Sequence, residues 1–198
     1  ARELIRARFS AGQSLYSVDE ETGQSEITEE ATVQLEMAAD AWSQYVKMTK
    51  QEPDPEVAQL MAQVLFTLAQ GSTVAQFQAN IEDAAQAQKF VADDAVKVEK
   101  QGGASAANQL TTLAIYQLYA QEFAAAEKTR EKALDATRSD TERKQIQQQL
   151  NQTEKDARRV GKMINQAVKQ AQKDGGKSLQ NPLGGLGSDT SIGGQGAP

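Results

Sequence analysis

The pattern that most constrains this chain lies in residues 107–134, which read ANQLTTLAIYQLYAQEFAAAEKTREKAL. Small and larger apolar residues recur along this segment at Leu110, Leu113, Ala114, Phe123, Ala126, Ala133 and Leu134. Ala, Gln, Glu and Lys dominate the chain as a whole, and these residues are good helix formers. Only 5% of the 198 residues are aromatic, and the β-branched residues occur singly rather than in runs. The sequence therefore predicts an all-α protein.

The spacing within residues 107–134 resembles the tetratricopeptide repeat (TPR), a pair of antiparallel helices in which small residues mark close crossings. The resemblance implies an α-α superhelix, a TPR-like solenoid of about three helical hairpins. Ala38, Ala84 and Ala126 correspond to the small residues of the three second helices. They are 46 and 42 residues apart, where the family usually has roughly 34. Gln121 stands at the turn, where the family usually has Gly.

Within the TPR family, the sequence resembles a group of bacterial proteins that carry an N-terminal membrane anchor. Three segments carry this resemblance in order: AWSQYVKMTKQEPDPEVAQLMAQV, AQAQKFVADD and LAIYQLYAQEF. It covers roughly residues 8–150. It implies a membrane tether upstream of Ala1, and it leaves open on which side of the membrane the domain lies. It implies no enzymatic activity.

The chain divides by composition into three parts. Residues 1–138 hold the predicted repeats and include a polar acidic loop at 17–27. Residues 139–174 read as one long helix with a heptad pattern of apolar or small residues, namely Ile146, Leu150, Thr153, Ala157, Val160, Ile164, Ala167 and Ala171. Residues 175–198 contain 8 Gly in 24 positions and are predicted to form a disordered tail.

The long helix is predicted to cap the repeats, because a solenoid ends with an exposed apolar surface. Its first half, residues 140–152, is expected to pack on the third repeat, against the face that carries Ala126 and Ala133. Its second half, from Ala157, has smaller apolar residues and most of the charge. That half is expected to project further or to cross the acidic body.

The absence of Cys and His limits the chemistry of the chain. Thiol nucleophiles, imidazole bases, Ser-His-Asp triads and His/Cys zinc sites are excluded within it. Gly102-Gly103 and residues 184–187 lack the Lys and the strand–loop–helix context of a phosphate loop. We therefore expect no enzyme, no cofactor and no metal site.

Charge is divided unevenly along the chain. Residues 1–137 carry 11 basic and 21 acidic residues, whereas residues 138–177 carry 10 basic and 5 acidic. No Lys or Arg lies between Arg8 and Lys47, and the acidic residues there are Asp19, Glu20, Glu21, Glu26, Glu29, Glu30, Glu36 and Asp40. A calcium site, a surface for a basic partner and a solvated acidic loop are the competing interpretations. The EF-hand ligand order is absent, which favours the solvated loop.

The long helix carries the opposite charge. Its basic residues from position 155 onward are Lys155, Arg158, Arg159, Lys162, Lys169 and Lys173. They suit either phosphate or anionic lipid, or they form the solvated face of a capping helix, which is the favoured interpretation. No aromatic residues interleave with them for base stacking, so no nucleic-acid partner is expected.

The resemblance also assigns the residues that bind a partner, because the first helices of such repeats line the concave surface. The residues it assigns are Gln59, Gln63, Phe66, Thr111, Ile115, Leu118 and Tyr119. Either they bind a protein or peptide partner, or the C-terminal helix or a neighbouring helix already covers them. The expected function is a non-catalytic protein–protein interaction scaffold. The alternative is a structural module that self-associates into a homo-oligomer through the C-terminal heptads.

Overall fold

A computed structural model of the chain describes residues 1–18, 25–49, 52–71 and 73–173. These residues are almost entirely helical, which confirms the predicted class. The helices are α1 (Arg2–Ser14), α2 (Glu29–Met48), α3 (Pro55–Gly71), α4 (Val74–Lys100), α5 (Ala107–Tyr119), α6 (Phe123–Asp135) and α7 (Asp140–Lys173). The predicted tail, residues 175–198, lies outside the described residues.

The predicted loop at 17–27 contains a short antiparallel pairing that the sequence did not indicate. Strand β1 (Ser17–Val18) pairs with β2 (Ser25–Glu26), so that Ser17 lies opposite Glu26 and Val18 lies opposite Ser25. The interpretation of this segment as a loop alone was therefore wrong at its two ends. Backbone pairing across the segment depends on the return of the chain to its starting point, which no local residue preference encodes.

Local capping fixes several helix starts. The hydroxyl of Thr28 accepts a hydrogen bond from a backbone N–H in the first turn of α2. Thr73 and Gln76 form a reciprocal capping box at the start of α4, in which Gln76 Oε1 accepts from the Thr73 backbone N–H at 3.2 Å. Ser139 accepts from the backbone N–H of Glu142 at 3.2 Å and so begins α7. Each of these caps joins atoms that lie within three residues of one another along the chain.

Consecutive helices pack as three hairpins, α1 with α2, α3 with α4, and α5 with α6. Helix α1 also contacts α3, α4 contacts α5, and α5 contacts α7, so each hairpin packs against the next element along the chain. Gly12 allows a close crossing in the first hairpin, because a Cβ added there would lie 2.9 Å from Leu35 Cδ2. The three corresponding small residues, Ala38, Ala84 and Ala126, are all buried in the main core.

Helix α7 lies along the body over most of its length. Ile146 and Leu150 are buried in the main core with Ala126 and Ala133, as predicted for the first half. The second half crosses the body and does not project from it, since Val160 is buried in a second, smaller core. Of the two arrangements expected for this half, the structure shows the crossing.

Candidate functional site

The predicted partner-binding residues differ in burial. Gln59 and Gln63 are exposed on α3. Thr111, Ile115 and Leu118 on α5 are buried, and the Thr111 hydroxyl donates a hydrogen bond to a backbone carbonyl of its own helix. Of these five residues, the two glutamines are open to a partner in this conformation. The role of all seven residues in binding stays a prediction.

Phe66 and Tyr119, the remaining two, belong to an aromatic cluster between α3 and α5. Their ring centroids lie 6.2 Å apart. Phe66 also stacks on Tyr116 at 4.9 Å, with an angle of 18° between the ring planes. The predicted site did not include Tyr116, although its i, i+3 spacing from Tyr119 places both rings on one side of α5. That spacing is the sequence signal that could have found it.

The C-terminal half of α7 packs against Phe66 and Tyr119 of this aromatic cluster. Val160 and Ile164 are 1% and 9% exposed, and Ala167 is partly buried beside them. These three residues pack against an apolar surface formed by Phe66, Ala69, Val74, Phe77, Ile81, Tyr119 and Ala120. We call this surface the α7 groove. Of the assigned partner-binding residues, Phe66 and Tyr119 thus lie against the C-terminal half of α7 in this conformation.

The two tyrosines of the aromatic cluster are largely withdrawn from water, Tyr116 in the main core and Tyr119 beside the α7 groove. Burial raises the pKa of Tyr116 to about 12. Burial is also the main cause of the raised pKa of Tyr119. The negative charge of Asp156 on α7 raises that pKa further, and the positive charge of Arg159 lowers it. Asp156 and Arg159 pair with each other at 3.3 Å, so α7 places an ion pair beside the phenol.

The turn between α5 and α6 is fixed to α7 by one side chain. Gln121 has a φ of 63°, a left-handed conformation that few residues other than Gly adopt. Its Nε2 donates a hydrogen bond to the Ala157 carbonyl at 3.0 Å. Gly161 makes room for it, because a Cβ added there would lie 2.2 Å from Gln121 Oε1. The contact between Gln121 and Gly161 therefore accounts both for a Gln at a turn where the repeat usually has Gly and for a Gly inside α7.

A separate cleft of about 320 Å³ lies between α5, α6 and α7. Arg130 lies 3.1 Å from Glu127 and 3.5 Å from Glu154, and Arg158 pairs with Glu154 at 2.7 Å. Each charged side chain lining the cleft therefore has a partner of opposite sign. Ala126 also borders the cleft, so this buried residue has more space beside it than a close helix crossing implies.

The described residues contain no group of three or more acidic side chains that could hold a metal ion. None of the described helices combines the length and the apolar character that crossing a membrane requires. Comparison of the chain with protein-family models, curated proteins and solved structures finds no match.

Proposed function

We propose that this protein is a non-catalytic scaffold of TPR-like helical repeats that binds an amphipathic helix of a protein partner. The observation that carries this proposal is the α7 groove, an apolar surface in which a helix already lies. Three sequential hairpins with buried Ala38, Ala84 and Ala126 support the TPR-like part of the proposal. Helix-in-groove recognition needs such a surface and a facing stripe at helical spacing.

The stripe on α7 has the spacing that a binding helix uses. Val160, Ile164 and Ala167 follow one another at steps of four and three residues, so they lie on one face of the helix. Charged residues such as Lys162 are exposed on the other side. A groove that accepts this stripe within the chain has the shape and polarity to accept a similar stripe from another protein.

The free energy that keeps the C-terminal half of α7 bound in the groove is limited. Burying Val160 and Ile164 contributes about 1.5–3 kcal/mol each as an upper estimate, and Ala167 adds less. A partner helix with larger apolar residues at these three positions would bury more surface. We therefore propose that such a helix displaces this half of α7 from the groove.

Fluorescence anisotropy with a labelled peptide of residues 156–173 tests the proposal. We expect Val160→Asp to release the C-terminal half of α7, because an uncompensated charge is costly to keep buried in the groove. The variant should therefore bind the peptide at least ten-fold more tightly than the wild type does. Val168→Asp is the matched control, because Val168 lies on the same half of the helix and is exposed. A Val160→Asp variant that keeps its helical circular dichroism and fails to bind the peptide would contradict the proposal.

Self-association through the heptads receives less support from the geometry. Ile146, Leu150, Ala157 and Val160 are all buried against the rest of the chain. A coiled coil between two copies would need the same residues. It would therefore require α7 to leave the body along its whole length, which costs more than releasing its second half.

A further inference from the structure

A second concave feature lies between α2, α3 and α4. It is a cleft of about 290 Å³, and its apolar wall includes Trp42, Leu65 and Leu68, all of which are buried. On α4 this cleft uses Gln76, Asn80 and Asp83, whereas the α7 groove uses Val74, Phe77 and Ile81 of that helix. The two surfaces are therefore separate, and a ligand of this cleft does not depend on the proposed helix binding in the α7 groove.

The polar wall of the cleft is acidic and lacks a counter-charge. Glu36 and Asp40 line it from α2, and Asp83 lines it from α4. Among the described residues, none of these three carboxylates is paired with a Lys or Arg. Burial raises the pKa of Asp83, and repulsion from Glu82 raises it further. The cleft beside α7 differs, because arginines there balance its carboxylates.

Trp42 adds a second and independent feature. It is 6% exposed and lines the cleft, and its indole N–H makes no hydrogen bond within the described part of the chain. That N–H is not fully enclosed by protein, so it is open to water or to a ligand. The cleft thus presents one unused donor as well as three unused negative charges. A segment of polypeptide with a basic side chain brings both a carbonyl acceptor and a cation.

We propose that this cleft binds an arginine or lysine side chain of a protein partner. The carboxylates of Glu36, Asp40 and Asp83 surround the charged head, and the aliphatic stem lies on Trp42 and the leucines. Long basic side chains bind in this divided way, with an apolar stem and a charged tip, and a cation over tryptophan adds further attraction. The carboxylates do not form a cluster that could hold a metal ion. An extended organic cation fits their spread better than Ca²⁺ does.

The fluorescence of Trp42, the single tryptophan of the sequence, gives a direct test. The probe is the peptide acetyl-Gly-Arg-Gly-amide, and its control contains citrulline, an uncharged isostere of arginine. We expect the arginine peptide to change the emission in a saturable way and to bind about ten-fold more tightly than the citrulline peptide. Binding should weaken as salt rises.

Paired variants separate this cleft from the general negative charge of the protein. Asp40→Asn with Asp83→Asn should weaken binding about ten-fold. Glu52→Gln with Glu131→Gln makes the same change in net charge at exposed residues outside the cleft, and it should leave binding within about two-fold of the wild type. Equal effects of the two pairs, equal binding of the two peptides, or the same emission change with calcium chloride alone would each overturn the proposal.

Discussion

The contact between Gln121 and Gly161 makes the sharpest prediction about stability. Each residue is unfavourable by itself, since a helix interior disfavours Gly and a left-handed turn disfavours Gln. The contact explains both, because the amide of Gln121 occupies the space that a Cβ at position 161 would take. Changing the two residues singly and together therefore tests whether they are coupled.

The expected changes in the free energy of unfolding come from three contributions of similar size, namely helix propensity, one hydrogen bond and backbone strain. Replacing Gly161 by Ala inside α7 gains about 1 kcal/mol of helix stability. The new methyl group displaces the Gln121 amide, so the hydrogen bond to Ala157 is lost at a cost of about 1 kcal/mol. Gly161→Ala alone should therefore change the free energy of unfolding by less than about 0.5 kcal/mol.

Gln121→Gly relieves about 1 kcal/mol of backbone strain and loses the same hydrogen bond, so it too should be nearly neutral. With Gly at position 121, no side-chain amide lies where the methyl group of Ala at position 161 is placed. Gly161→Ala then contributes its full gain of helix stability. The double variant should therefore exceed the sum of the two single changes by about 1 kcal/mol.

Urea unfolding of the four proteins, followed by circular dichroism, measures this coupling free energy. Asn165→Ala serves as the control, because Asn165 is exposed on the same helix. It should gain about 0.5 kcal/mol with either residue at position 121. If Gly161→Ala stabilises the wild type and the Gln121→Gly variant equally, the contact is absent and the account given for both residues fails.

Two further predictions concern buried positions. Ala84→Leu should lower the free energy of unfolding by about 1–3 kcal/mol in urea titrations, because Ala84 is fully buried in the main core; unchanged stability would contradict close packing there. The second concerns Tyr116, whose pKa of about 12 in the folded protein exceeds the ordinary value of about 10. The folded state favours the neutral phenol, so this stabilisation is complete below pH 10 and is lost as pH rises towards 12. Between pH 9 and 11.5, wild type should lose about 2 kcal/mol more than Tyr116→Phe in parallel urea titrations, and equal losses would refute burial of the phenol.

The helices were largely predictable because their signals are local. Thr28, Thr73 and Ser139 each cap a helix through atoms within three residues along the chain. The buried stripe on α7 followed from its spacing. The candidate site was predicted less well. Tyr116 was missed, and whether α7 covers the apolar face remained open. Such coverage depends on how helices that are distant in the sequence pack against one another.

The sequence by itself therefore determined the helical class, the long C-terminal helix and the spacing of the apolar residues along it. Only the tertiary structure decided what each face meets. Gln121 and Gly161 are 40 residues apart, and Asp40 and Asp83 are 43 apart, yet each pair shares one small region. Such meetings depend on turn geometry and on crossing angles between helices. Propensity and periodicity act over a few residues and contain no information about those angles.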